Sequence, residues 1–180
     1  YNSETFLQNT LESVIQQTYK DWELIIINDG SSDGTENIIQ EFIKLNKNLS
    51  IIYYNQKNNG LAFSRNKAVD LARFEWLAIL DHDDVWEKNK LEIQNKELVL
   101  NPTCKLFFGD NSWLTDNSEL KKTRFNNLKE KDFFDPRNLN LNKKKAYVNL
   151  IKYGCFITSS SVIFNKTAYL NIKGFNLSYK

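Results

Sequence analysis

Short apolar runs alternate along this sequence with longer segments whose apolar residues recur at helical spacing, and this alternation constrains the fold most. The apolar runs are Trp22–Ile27, Ile51–Tyr54 and Trp76–Leu80. Runs of this kind are typical of strands that are covered on both faces. Helices are predicted over 34–46, 61–73 and 88–100, after each run in turn. Successive strand–helix pairs predict an α/β fold with a mostly parallel central sheet and helices on both faces.

The remaining elements and the composition fit one globular domain. A helix is predicted over 3–18, and strands are predicted over Lys105–Phe108 and Ile157–Phe164. In the helix over 61–73 we expect Leu61, Ala68, Val69 and Ala72 to be buried. A length of 180 residues suits a single core, and a net charge of +2 gives no general attraction to nucleic acid. Two cysteines are too few for a disulfide framework, which favours a reducing, cytoplasmic location.

An acidic turn, Asp81-His82-Asp83-Asp84, directly follows the apolar run Trp76–Leu80. Ligands of parallel sheets bind at the carboxyl ends of strands, so this turn is the strongest candidate site. Carboxylates this close repel one another, and a hard divalent cation such as Mg²⁺ or Mn²⁺ would offset the repulsion. The alternative is a solvated turn in which Asp84 caps the next helix. His82 is interpreted as a tolerated turn residue.

Two further turns follow predicted strands. Asn28–Gly34 (NDGSSDG) places Asp29 at the carboxyl end of the first apolar run, where its carboxylate can accept hydrogen bonds from a ribose or a base. Asp33 is interpreted as a cap of the following helix. The stretch NNGLAFSRN places Arg65 in the first turns of a helix, where a phosphate would be favoured. A surface salt bridge is the alternative role for Arg65.

Taken together, these turns resemble one family. NDGSSDGT, NNGLAFSRN and LDHDD, followed by SSSVIF and then Gly174-Phe175, are similar to the nucleotide-sugar half of glycosyltransferase family 2. The resemblance spans nearly the whole chain, although residues 111–152 add little to it. It implies a Rossmann-like GT-A domain that transfers a sugar from a nucleoside diphosphate, most commonly UDP, to an acceptor hydroxyl with inversion. Residues 1–110 would form the donor part and 111–180 the acceptor part.

The resemblance also implies roles for individual residues. Tyr1 would lie beside the base, and Asp29 would hold the uracil or the ribose. Arg65 would extend towards the diphosphate. Asp81 and Asp83 would form the DxD pair, with Asp83 on a Mn²⁺ or Mg²⁺ ion and Asp84 in support. The metal would neutralise charge on the departing diphosphate.

Two features of the family have no counterpart in this sequence. Its general base is an Asp or Glu a short distance beyond the glycine–phenylalanine turn, so we expect the catalytic base beyond Lys180. Its first strand precedes the residues that match Tyr1-Asn2, so we also expect residues before Tyr1. The family's usual setting implies a role in surface polysaccharide or lipopolysaccharide synthesis, with a glycan or a lipid-linked glycan as acceptor.

Two other functions are compatible with the same residues. One is a nucleotide-sugar or metal-binding module without catalysis. The other is a phosphatase of the haloacid-dehalogenase type, whose buried strand also ends in Asp-x-Asp. That class places the strand near the start of the chain and a Gly-Thr after the pair, whereas Val85-Trp86 follow here.

The stretch Lys121–Lys145 is strongly basic, with nine Lys or Arg and three Asp or Glu. A solvated face is one interpretation. The other is peripheral contact with an anionic membrane surface, such as the inner face of the cell membrane, because each exposed Lys near such a surface contributes up to about 1 kcal/mol. The second interpretation depends most on Lys143, Lys144 and Lys145.

Overall fold

A computed structural model of the protein describes residues 1–113, 123–126, 148 and 157–178. The helices are α1 (Leu7–Ile15), α2 (Thr35–Leu45), α3 (Leu61–Leu71), α4 (Lys90–Leu100) and α5 (Lys166–Asn171). The strands are β1 (Leu24–Asn28), β2 (Ile51–Asn55), β3 (Trp76–Ala78), β4 (Leu106–Phe108) and β5 (Val162–Asn165). The predicted order of strands and helices is confirmed.

The ends of most elements differ from the prediction by one or two residues, and two differences are larger. The first helix, expected over 3–18, is limited to Leu7–Ile15, and no side-chain hydrogen bond caps its first residue. The backbone carbonyl of Ser3 accepts the N–H groups of Phe6 and Leu7 instead. The strand expected over Ile157–Phe164 is replaced by a 3₁₀ turn at Ser159–Ser161 followed by β5.

The strands of the described residues form two hydrogen-bonded sheets. β1 and β2 run parallel, with Ile26 opposite Tyr53. β3 and β5 run antiparallel, with Leu77 opposite Phe164, and β4 lies on the other side of β5. The α/β class is therefore confirmed, with the antiparallel pair as a departure from purely parallel pairing. Such mixtures are common in α/β proteins.

The core of the first half lies between α1, β1 and α2. Its buried members are Leu7, Leu11, Ile26, Ile39 and Phe42. Each large aliphatic or aromatic side chain buried in this way contributes roughly 1.5–3 kcal/mol relative to exposure. This packing fixes the direction of β1 and hence the position of the turn that follows it.

Helix α3 packs against β1. Val69 and Ala72 are buried, as predicted, whereas Ala68 is only partly buried and Leu61 is 62% exposed. The prediction that Leu61 is buried is therefore wrong. Leu61 is the first residue of the helix, where the side chain lies at the end of the packed face.

Contacts divide the chain into two compact units. The first comprises Tyr1–Phe107 and Ile163–Lys180, and the second comprises Phe108–Val162. In the second unit, Phe108 meets the edge of Phe125, and an oxygen of Asp110 accepts the N–H of Phe125 at 3.0 Å. The assignment of 1–110 to the donor and 111–180 to the acceptor stays a prediction.

Most of the basic stretch Lys121–Lys145 lies outside the described residues, and Lys143, Lys144 and Lys145 are among the residues not described. Among the described helices, none has the length and apolar character that crossing a bilayer requires.

Candidate functional site

A cleft of about 860 Å³ lies within the first unit, is lined along the full length of β1 and β3, and reaches the turns at their carboxyl ends. Five of the predicted site residues line it, namely Tyr1, Asp29, Arg65, Asp81 and Asp83. They come from four separate parts of the chain, and the fold brings them together. Asp84 follows Asp83 directly but is not among the lining residues.

Asp29 is buried at the end of β1 and accepts hydrogen bonds from the loop after β2. One carboxylate oxygen accepts the side-chain N–H of Gln56 at 2.7 Å and the backbone N–H of Asn59 at 2.9 Å. The other accepts the backbone N–H of Gly60 at 2.9 Å. Burial alone would raise the pKa of Asp29, but these hydrogen bonds and one from Ser64 lower it below its usual value. The carboxylate therefore stays ionised and holds this loop against β1.

Gly30 allows that loop to approach β1 closely. Its φ of +73° lies in the left-handed region, and a Cβ built on it would be 2.9 Å from the backbone nitrogen of Asn58. A side chain at this position would therefore clash with backbone as well as strain the turn.

The segment Tyr1–Glu4 is hydrogen-bonded along the loop Ser31–Thr35, which leads from the β1 turn into α2. The bonds run from Asn2 N–H to Ser31 Oγ (2.9 Å), from Ser32 N–H to Asn2 Oδ1 (2.9 Å), from Ser3 N–H to Thr35 Oγ1 (2.7 Å) and from Glu4 N–H to Asp33 Oδ2 (3.1 Å). Asp33 also accepts the N–H of Thr35, the first residue of α2, but Gly34 occupies the N-cap position, so the predicted capping role of Asp33 is wrong. These bonds place Tyr1 at the cleft. The sequence analysis did not identify this set of bonds, because the two segments are about thirty positions apart.

Arg65 and Asp81 form a salt bridge of 2.7 Å within the cleft. The side chain of Arg65 is 17% exposed and that of Asp81 is 34% exposed, so both partners are partly shielded from solvent. The Phe175 ring lies 5.5 Å from the guanidinium of Arg65, in cation–π geometry. Arg65 was predicted to extend towards a diphosphate, and the structure shows it on the neighbouring carboxylate of the acidic turn.

The rest of the acidic turn is open to solvent. The side chain of Asp83 is 54% exposed, and its Oδ1 is 3.3 Å from Nδ1 of His82. The backbone carbonyl of His82 accepts the hydroxyl of Thr10 at 2.8 Å, which ties the turn to α1. Asp83 is thus an accessible carboxylate on a turn whose backbone is held in place.

This arrangement fits a hard divalent cation in one respect. Within the part of the chain that the structure describes, no three His, Cys, Asp or Glu side chains are grouped so that they could hold a metal. Mg²⁺ and Mn²⁺ in phosphate-transfer sites, however, need only one or two protein carboxylates, because substrate phosphates supply further oxygens. Asp83 meets that requirement, whereas the Asp81 oxygen that binds Arg65 is already neutralised.

Gln17 and Lys90 fix the segment after the acidic turn. Gln17 is fully buried: its side-chain amide donates to the carbonyls of Ser13 and Glu87, and its oxygen accepts the N–H of Leu91. The ammonium of Lys90 lies 4.1 Å from the centre of the Trp86 ring, which lines the cleft. Burial lowers the pKa of Lys90 to about 7.

The comparison with protein families decides the assignment. The model of glycosyl transferase family 2 matches residues 1–163 of this chain. The chain belongs to glycosyltransferase family 2. A curated relative from Escherichia coli, WfgD, is 31% identical over 167 residues, which are 93% of this chain and 58% of WfgD. Its name is UDP-Glc:alpha-D-GlcNAc-diphosphoundecaprenol beta-1,3-glucosyltransferase.

Solved structures of the same fold agree with the family assignment. Staphylococcus aureus TarS in complex with UDP matches all of this chain and 49% of TarS, with a TM-score of 0.71 and 18% identity. The mannosyltransferase PcManGT from Pyrobaculum calidifontis, in complex with GDP-Man and Mn²⁺, matches 98% of this chain and 45% of its own, also with a TM-score of 0.71 and 18% identity. The expected GT-A fold is thereby confirmed. The chain spans less than two thirds of the length of the curated relatives TuaG, EpsH and WfgD from the same comparison.

Proposed function

We propose that the protein transfers a sugar from a nucleoside-diphosphate sugar to an acceptor hydroxyl, with inversion at the anomeric carbon. The observation that carries this proposal is the convergence of Asp29, Arg65, Asp81 and Asp83 on one cleft, in the part that reaches the carboxyl ends of β1 and β3. A cleft with buried hydrogen-bonding groups at one end and an open carboxylate at the other suits a ligand with a nucleoside and a charged diphosphate.

The nucleoside would bind on the β1 side. Tyr1 is 53% exposed and lines the cleft, so its ring is available to stack on a base. Asp29 holds the loop after β2 in place and offers its carboxylate to the base or the ribose. UDP is the first donor to test, because TarS was solved with UDP and UDP-GlcNAc. PcManGT was solved with GDP-Man, so the nucleobase that this protein prefers has to be determined by titration.

The diphosphate would bind on the β3 side. Asp83, supported by Asp81 and Asp84, would hold a Mn²⁺ or Mg²⁺ ion, which when bound neutralises charge on the leaving diphosphate. Arg65 fixes Asp81 and adds positive charge to this end of the cleft. In the reaction the acceptor oxygen attacks the anomeric carbon from the face opposite the diphosphate. The bond from that carbon to the phosphate oxygen breaks, and the acceptor's proton passes to a base.

The names of the relatives support a proposal for the acceptor and the setting. The acceptor named for WfgD is a diphosphoundecaprenol-linked sugar. A glycan or lipid-linked glycan acceptor at the cytoplasmic face of the cell membrane is therefore the setting we propose, within surface polysaccharide synthesis. Peripheral membrane contact through Lys121–Lys145 would bring the protein to such an acceptor. The expected loss of vesicle binding on neutralising Lys143, Lys144 and Lys145 tests that part.

The donor site is tested by calorimetric titration of UDP, GDP and dTDP, each with and without Mn²⁺. We expect one nucleotide to bind only with Mn²⁺, and Asp83→Asn to abolish that binding. Asp70→Asn, the same chemical change on an exposed position of α3, serves as the matched control and should bind like the unmodified protein. Loss of binding in both variants, or in neither, would contradict the role given to Asp83.

Donor turnover separates the enzyme from a binding module. Release of nucleoside diphosphate that depends on an added lipid-linked acceptor would support transfer. Tight Mn²⁺-dependent binding without any release, across a panel of acceptors, would favour the non-catalytic module. The family match gives the phosphatase alternative no support, and hydrolysis of an aryl phosphate would be required to restore it.

A further inference from the structure

The side chain of Asn66 pairs with the backbone of Phe175. Its Nδ2 donates to the carbonyl of Phe175 at 2.9 Å, and its Oδ1 accepts the N–H of the same residue at 3.0 Å. Oδ1 also accepts the hydroxyl of Tyr169. The amide of one side chain therefore satisfies both backbone groups of a residue that is 109 positions away in the chain.

The turn before Phe175 contains a glycine that allows the close approach to Asn66. Gly174 has a φ of +66°, and a Cβ on it would be 2.7 Å from Oδ1 of Asn66 and 2.9 Å from Cε1 of Tyr169. The Tyr169 ring packs in turn on Phe164 in β5 and on the edge of the Phe175 ring. Only glycine lets the backbone approach this closely, so the position of Phe175 relative to α3 is tightly defined.

The contact continues into the cleft. Arg65 precedes Asn66 in α3, and its guanidinium lies 5.5 Å from the centre of the Phe175 ring. The same guanidinium holds Asp81 at 2.7 Å. Arg65, Asp81 and the Phe175 ring all line the cleft. One side of the guanidinium thus meets the aromatic ring that Asn66 positions, and a terminal nitrogen binds the acidic turn.

We propose that Asn66 is a positioning residue for the donor site, which fixes Phe175 so that its ring holds Arg65 against Asp81. This inference rests on the proposed function, in which Arg65 and Asp81 face the donor's diphosphate. Asn66 does not itself touch the donor. Without its amide, the Gly174-Phe175 turn separates from α3, and Arg65 loses the ring that restricts its rotamers.

The test measures the affinity for UDP with Mn²⁺, or for whichever nucleotide binds the unmodified protein. Asn66→Ala should weaken binding about tenfold, the equivalent of one well-placed hydrogen-bonded group. Asn37→Ala, at an exposed position of α2, is the matched control and should change nothing. Circular dichroism at the titration temperature confirms that each variant is folded.

A second background distinguishes positioning from general destabilisation. In Arg65→Lys, whose ammonium cannot stack in the same way, Asn66→Ala should cost little further affinity, because its effect passes through the guanidinium. A full additional tenfold loss in that background would overturn the proposal. So would unchanged binding by Asn66→Ala in the otherwise unmodified protein.

Phe175→Leu keeps the backbone pairing but removes the ring, which keeps the proposal testable if Asn66→Ala does not fold. We expect about threefold weaker binding, the size of a partly exposed cation–π contact, with the melting temperature little changed. Unchanged affinity for Phe175→Leu would contradict the proposal. If the unmodified protein binds no nucleotide at all, the proposed donor site itself is wrong, and that outcome is distinct from the failures above.

Discussion

The turn after β1 and the turn after β3 both carry aspartates into the same cleft, yet they are built in opposite ways. Asp29 is 6% exposed and accepts hydrogen bonds from Gln56, Asn59 and Gly60 of its own chain. Asp83 is about half exposed, and its Oδ1 lies 3.3 Å from Nδ1 of the neighbouring His82. The carboxylate of Asp29 is held in place by the protein before any ligand binds. The carboxylate of Asp83 is exposed and can bind a ligand directly.

This difference separates residues that hold the site's shape from residues that exchange partners. Removing a buried carboxylate that accepts several N–H groups lowers the free energy of unfolding, because its donors are then left without acceptors. An exposed carboxylate beside others is stabilised when a cation arrives, because the cation offsets their mutual repulsion. We therefore expect stability to depend on the β1 turn and metal-dependent binding to depend on the β3 turn.

The largest effect is expected at Asp29. Asp29→Ala should lower the free energy of unfolding by about 3 kcal/mol, since buried donors of the loop after β2 lose their acceptor. Asp83→Ala should change it by less than about 0.5 kcal/mol. Urea denaturation of the two variants measures both values. Equal losses would remove the distinction between the two turns.

Gly30 provides a second test of how rigid the β1 turn is. Gly30→Ala should cost about 2 kcal/mol, because the turn needs a positive φ and its Cβ would meet the backbone of Asn58. Gly109, around which a Cβ meets nothing within 4 Å, provides the control, and Gly109→Ala should be close to neutral. Thermal denaturation compares the two, and a tolerated alanine at position 30 would show that the loop can move away.

Lys90 extends the comparison to pH. Its pKa is lowered to about 7 from 10.5, so between these values the unfolded chain binds a proton that the folded chain has released. The free energy of unfolding should therefore rise with pH above 7, by at most about 1.4 kcal/mol per pH unit from this group. Urea denaturation at pH 7, 8 and 9 measures the slope.

Lys90→Met should reduce that slope, whereas Lys88→Met, at an exposed lysine in the same segment, should leave it unchanged. An identical slope in all three proteins would show that the Lys90 ammonium keeps its ordinary pKa beside Trp86.

The smallest effect separates two adjacent aspartates of the β3 turn. Asp84 does not line the cleft, so Asp84→Asn should weaken Mn²⁺-dependent nucleotide binding by no more than about threefold. Asp83→Asn should abolish it. Calorimetry on the two variants measures the ratio of their nucleotide affinities. An equal loss of affinity in both would make Asp84 a metal ligand in its own right.

The elements that local patterns determine were predictable. β1 and α2 follow from an unbroken apolar run and from apolar residues at helical spacing, which are properties of a few neighbouring residues. The exposure of Leu61 was not predictable in the same way. At the first residue of a helix, the spacing shows which face a side chain lies on, but the neighbouring elements decide whether anything covers it.

The candidate site shows the same limit more strongly. The carboxylates of Asp29, Asp81 and Asp83 were predicted because they follow apolar runs, but their partners were not. Asp29 is bound by a loop about thirty positions away, and Asn66 pairs with Phe175 across 109 positions. For the contact with Asp29, the available sequence signals were Gln56, directly after β2, and Gly60, at the end of the same loop. Nothing local to Asn66 indicates the second.

The buried amide of Gln17 has a consequence for how chains of this kind can vary. Just after α1, it binds the carbonyl of Glu87 and the N–H of Leu91, while β3 ends at Ala78, so the acidic turn is attached firmly at both ends. Replacing a side chain between those attachments leaves the path of the backbone intact, whereas adding or deleting a residue forces one attachment to break. Over evolutionary time this segment should therefore diverge by substitution while keeping its length. The exposed connection between α2 and β2, which has no comparable buried attachment among the described contacts, is where changes in length should accumulate.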